Sequence, residues 1–257
     1  MIVAVRQHLH AKSAAMLYSI ENGLPRIMRW WLGLALVGSA LRIVTSPLQG
    51  APPSFDTYLP YVLLTCAPLV SMGLALRWFA DGDRLPQPTT RLALAGKWRN
   101  VSANEAGKHR LFGVTGLMVS LMVGMLFNVP MRAAEYLAAI PALSGPVPQW
   151  LSALHFMMTL DVVLLSSLYT IAFVAALRRV PLFPRLLVAV WMIDLAMQAG
   201  IASAVTASHN LPATVATVLH GMLVGNVKKV LISVVLWAPY LLLSERVNVT
   251  FRQRVPA

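Results

Sequence analysis

A chain of 257 residues that is 58% hydrophobic and only 12% charged lacks the polar surface of a water-soluble domain, where about 25% of residues are charged. The net charge of +12 would suit a nucleic-acid partner in a soluble protein. Here the basic residues fall between long apolar runs, which argues instead for a membrane protein whose charges set topology and meet anionic lipid.

The first 22 residues carry Arg6, His8, His10 and Lys12 with no long apolar core behind them, so no cleavable signal peptide is expected. Ile2, Val5, Leu9, Met16 and Ile20 fit one side of a short helix lying on the membrane, and a loose tail fits as well. Asn22-Gly23 is expected to end that helix, with Pro25 following.

Six apolar runs then predict an all-α, multi-pass bundle over 30–243: Trp30–Gln49, Tyr58–Phe79, Leu111–Val129, Leu151–Leu177, Leu186–Thr206 and Val227–Leu243. Each is near the roughly 20 residues that cross a bilayer as helix, and continuous runs rather than alternation favour helices over a barrel. Cys66, alone of its kind and inside the second run, is expected as a small buried apolar residue.

Between the runs, all Lys and Arg except Arg42, Arg132, Lys228 and Lys229 fall on one side of this topology. They lie in 1–29, in a basic loop at 80–110 with Arg77 at its edge, at Arg178, Arg179 and Arg185, and in the tail at 244–257. Positive residues stay cytoplasmic, so both termini are expected inside. Met131–Ile140 extends the third run as helix until Pro141, Pro146 and Pro148 break it. Asn100 and Asn248 match the glycosylation pattern on the cytoplasmic side and are read as chance.

Small residues recur every fourth position: Gly116, Ser120 and Gly124; Ala196, Gly200 and Ala204; and Gly221 and Gly225, which lead into the sixth run. Such faces let two backbones approach, either inside the bundle or against a second membrane protein.

Asp161 and Asp194 lie within the fourth and fifth runs, where a carboxylate costs roughly 2.5–3.5 kcal/mol at a helix centre and is a functional candidate by default. Gln198 shares the face of Asp194. Lys228 and Lys229, placed at the outer end of the sixth run, are the expected partners of Asp161. These five form the candidate intramembrane site, either pairing to fix helix register or lining a proton or ion path. No cofactor is expected; a haem between His155 and His220 is the minor alternative. No hydrolase, metalloprotease or phosphate-loop motif occurs, so the reading leans away from an enzyme.

The chain ends with Trp237, Pro239 and Tyr240, then Ser244, Arg246, Val247, Thr250 and Phe251. This Trp-x-Pro-Tyr segment and Ser-x-Arg-Val-x-x-Thr-Phe tail resembles the closing signature of the bacterial inner-membrane family called domain of unknown function 2569 (DUF2569). Trp30-Trp31-Leu32 through Ser46-Pro47 is similar to that family's opening helix, and Arg178-Arg179 with Phe183-Pro184 to its basic turn. The resemblance covers 28–49 and 150–254. Members often have about four spans, so 50–150 is extra material, and the family implies a bacterial inner-membrane location but no activity. The leading functional expectation is a non-catalytic membrane subunit or scaffold that associates with other membrane proteins or itself. A small-solute or ion transporter using Asp161 and Asp194 is the second, and a lipid-modifying enzyme the third.

Overall fold

The computed structural model describes the backbone of residues 2–46, 52–91, 95–208 and 211–257, with side chains from residue 11 onward. Gln49, Pro47 and the side chains of Ile2, Val5, Arg6, His8, Leu9 and His10 lie outside the described residues.

The apolar runs become helices α1 (Ile2–Thr45), α2 (Phe55–Trp78), α4 (Leu117–Ala139), α5 (Gln149–Leu177), α6 (Phe183–Thr206) and α7 (Ala213–Leu243). All six are long and apolar enough to cross a membrane. A single-turn helix α3 (Ala103–Gly107) and an amphipathic α8 (Glu245–Arg252) sit at one end of the bundle. At that end the carboxyl tail pairs with the 80–110 loop: β1 (Trp98–Asn100) runs antiparallel to β2 (Arg254–Pro256), with Arg99 opposite Val255. Gln87 Nε2 also donates to the carbonyl of Phe251 at 3.2 Å. The basic loop and tail expected as separate cytoplasmic segments are therefore one joined cap.

Three helix boundaries differ from expectation. α1 does not stop at Asn22-Gly23; it runs through Gly23 and Pro25 as one helix of 44 residues. Proline removes one donor from a helix, but Ile20 and Leu24 on either side of Gly23 are buried in the core with Met72, Val114 and Phe251. Packing against the bundle thus holds the segment helical where local signals favour a break. The expected apolar face splits, since Met16 is exposed.

The third span starts at Leu117, not Leu111, because Gly113 and Gly116 both have positive φ (103° and 72°), a backbone that glycine alone adopts freely. It then continues through Pro130 to Ala139, as the Met131–Ile140 extension anticipated. The sixth span begins at Ala213, well before Val227, so Gly221, Gly225, Lys228 and Lys229 lie inside it.

Two apolar clusters form the interior. One, near the cap, centres on Phe173, Phe183, Leu187 and Phe251. The other, toward the opposite end, centres on Tyr136, Leu154, Ile201 and Leu219. α5 is the most enclosed span, whereas α1 and α7 present Leu34, Leu41, Val44, Ile232, Val235 and Leu236 outward, as lipid-facing helices do. Cys66 is exposed on the outer surface of α2 instead of buried in the bundle.

Candidate functional site

The polar residues at mid-depth separate the two apolar clusters. Asp194 on α6 is about 17 Å from either end of its helix at 1.5 Å per residue. It is fully enclosed (0% exposed), and Asp161 on α5 is nearly so (4%). A side chain absent from the expected site joins them. Arg132 on α4 donates from Nη1 to Asp161 Oδ2 at 2.6 Å and from Nη2 to Asp194 Oδ2 at 2.7 Å. Its planar fork suits two carboxylates held on different helices.

The remaining carboxylate oxygens are also engaged. Tyr169 donates its hydroxyl to Asp194 Oδ2 at 3.0 Å. Gln198 Nε2 reaches Asp161 Oδ1 at 3.2 Å and Asp194 Oδ1 at 3.4 Å. Asn226 on α7 donates to Gln198 Oε1 at 3.3 Å, and Lys229 donates to Asn226 Oδ1 at 3.3 Å. Lys229 also pairs with Glu135, one turn beyond Arg132 on α4.

The expected contact of Asp161 with Lys228 or Lys229 is corrected by this arrangement. Lys229 is committed to Glu135 and Asn226, and Lys228 is exposed. The reason is twofold. Helix α4 continues past Pro130, which brings Arg132 to the depth of both aspartates, and α7 packs on α6 rather than on α5. Of the five expected residues, Asp161, Asp194 and Gln198 come together directly, Lys229 joins at the edge through Asn226, and Lys228 does not join.

A cleft between α4 and α7 opens onto this cluster. Its upper part, about 430 Å³, is lined by Arg132, Glu135, Met158, Asp161, Gly225 and Lys229. A second part, about 220 Å³, is lined by Gly124, Asn128, Arg132, Tyr169, Asp194 and Ser233. Arg132 Nε and Asn128 Oδ1 are buried and hydrogen-bond to no protein group. Among the described residues the charges do not balance: Arg132 faces two carboxylates, while Lys229 and Glu135 cancel one another. One carboxylate is left over at mid-depth, and a proton or a small cation is what would neutralise it.

The small-residue faces are not tight helix seams. Gly116 caps α4 and donates its N–H to Ser13 Oγ at 2.9 Å. A Cβ at Gly124, Gly221 or Gly225 would meet nothing within 4 Å; Gly124 and Gly225 line the cleft, and Gly221 is exposed. Ser120 and Ala196 are exposed, Ala204 is half-buried, and Gly200 makes an ordinary 3.4 Å approach to Met157. His155 is half-buried on α5 and His220 exposed on α7, and no hydrogen bond joins them among the described residues.

The tail motif is a docking device. Val247, Thr250 and Phe251 are buried, and the Phe251 ring lies 5.0 Å from that of Phe183. Arg246 turns inward to Thr115 Oγ1 at 2.6 Å, and Thr250 Oγ1 accepts from the Gly113 N–H at 3.0 Å. Trp237 and Tyr240 pack edge to face at 6.1 Å, Pro239 lies inside α7, and the Ser244 N–H bonds Tyr240 where α7 gives way to α8. Asn248, of the glycosylation pattern, is wholly buried.

No known family model matches the chain, and no curated protein or solved structure matches it either.

Proposed function

We propose that this integral membrane protein is a transporter that moves a proton or small cation through the α4–α7 cleft, with Asp161 and Asp194 as the titrating or coordinating groups. The observation that carries this reading is the unbalanced cluster: one arginine between two enclosed carboxylates, reached from a cleft at membrane depth. A cluster that served register alone would be stabler with its charges matched. Gly124 and Gly225 leave the cleft walls bare, which supports a cleft able to narrow as well as open.

The test is flux of protons, and in parallel of sodium and potassium, into proteoliposomes loaded with the matching dye under an imposed gradient. Flux above empty vesicles that falls at least tenfold in Asp161→Asn and Asp194→Asn is expected. Flux equal to empty vesicles overturns the reading.

The scaffold reading draws on a different observation. The same gap, with Gly124 and Gly225 facing nothing within 4 Å, has the form of a seat for one helix of a partner. A partner that co-purifies in gentle detergent, and is lost on Gly225→Leu while the chain stays folded, would favour it over transport.

The excess of arginine at the capped end supports a bacterial inner-membrane setting with both termini cytoplasmic and that end against anionic lipid. DUF2569 membership is likewise our proposal, supported by the tail residues named above.

A further inference from the structure

The capped end gathers several arginines that make no ion pair among the described residues. Arg91, Arg185, Arg252 and Arg254 have no carboxylate partner among the described residues. They are held instead by neutral groups. Arg252 Nη1 donates to Asn248 Oδ1 at 2.9 Å, Arg185 to the Thr90 hydroxyl at 2.8 Å, and Arg254 Nη1 to the Arg91 carbonyl at 2.9 Å. Arg252 is the unusual member, because it is only 6% exposed. Burial first, then the neighbouring Arg254 and Arg185, push its guanidinium down to about 10, which still leaves it charged at neutral pH. Burial and Arg254 act on Arg91 in the same direction.

Like charges are gathered against an electrostatic penalty, and three of these four line a cavity. About 180 Å³ lies between the start of α6, the end of α7, α8 and the 88–91 segment. Arg91, Arg185 and Arg252 line it together with Val188, Leu241 and Leu242. The volume is below the roughly 300 Å³ of a drug-sized ligand site and suits one small group.

We propose that this pocket binds a phosphate group, contributed by the headgroup of an anionic phospholipid whose chains lie along α6 and α7. Three guanidinium groups match phosphate oxygens through charge-assisted, often paired hydrogen bonds. The apolar wall is continuous with the lipid-facing ends of both helices, since Val188 and Leu243 are exposed there. The inference rests on the reading that this end of the bundle meets anionic lipid, and it adds a built site to what would otherwise be diffuse attraction.

The experiment uses the full chain in detergent, with phosphatidylglycerol, phosphatidylcholine and inorganic phosphate as separate probes, read by native mass spectrometry and by thermal midpoint. Phosphatidylglycerol is expected to bind and stabilise, and Arg185→Gln and Val188→Trp to weaken it about five-fold or more. Val188→Trp fills the pocket without touching a charge, so it stands even where an arginine variant folds poorly. Lys108→Gln and Arg84→Gln, exposed and outside the pocket, are expected to leave binding unchanged. Equal losses in pocket and control variants would overturn the pocket and leave diffuse attraction standing. Equal binding of the two lipids would overturn both. Stabilisation by inorganic phosphate that displaces phosphatidylglycerol and is lost in Arg185→Gln would keep the phosphate site but assign it a soluble source.

Discussion

At the scale of single residues, the centre of the molecule depends on Arg132. Asp161 and Asp194 were readable as carboxylates inside apolar runs, and Gln198 from its spacing to Asp194. Arg132 was not, because it follows Pro130 and precedes Glu135, a stretch that resembles the exit of a span. A usable signal existed: the apolar run resumes through Tyr136 and Ile140, and two carboxylates in adjacent spans need a cation at their own depth. Replacing Arg132 by leucine leaves both carboxylates enclosed and unpaired. Removing one partner of a buried pair costs about 3–5 kcal/mol, so Arg132→Leu should lower the thermal midpoint in detergent sharply. Adding Asp161→Asn and Asp194→Asn to it should restore most of the loss, since neutral amides can be satisfied by Gln198 and Tyr169. A triple variant no stabler than Arg132→Leu would show that the pairing is not what holds α4 to α5 and α6.

At the scale of elements, hydropathy located all six spans, but tertiary packing set several of their ends. α1 crosses Gly23 and Pro25 because Ile20 and Leu24 are buried. α4 starts late because Gly113 and Gly116 turn the chain. The amphipathic α8 was hidden because eight residues carry too little pattern to separate a helix from a basic tail. Its anchor is Phe251, 1% exposed and stacked on Phe183 where α6 begins. Truncating a buried phenylalanine to alanine costs about 3–5 kcal/mol when the surroundings cannot collapse. Phe251→Ala should therefore release α8 and β2 together, because among the described residues β2 pairs only with the loop strand β1. Limited proteolysis should cut the variant near residues 244–257 under conditions that spare the parent chain. Equal protection would mean that the β1–β2 pairing alone secures the cap.

At the scale of the whole molecule, the basic residues gather at one end of the bundle, which predicts a single direction in the membrane. The end formed by 42–46, 52–57, 139–150 and 205–208 has Arg42 as its one basic residue among the described residues, and Arg42 donates to the Ile140 carbonyl at 2.8 Å. The other end holds the cap, the phosphate pocket and the Ser13–Gly116 contact that ties α1 to α4. Translocating an arginine-rich end is strongly disfavoured, whereas the end with Arg42 can cross. Single cysteines in a Cys66→Ser background test this, since Cys66 is the only native cysteine. An impermeant maleimide on intact cells should label Asp56→Cys and leave Lys12→Cys and Ala257→Cys unmodified until the membrane is opened. Labelling of the latter pair alone would invert the bundle and put the arginine pocket on the outer leaflet. Labelling of Lys12→Cys but not Ala257→Cys would require an odd number of crossings, which the shared contacts of Ser13 and Thr250 with the 113–116 turn do not allow.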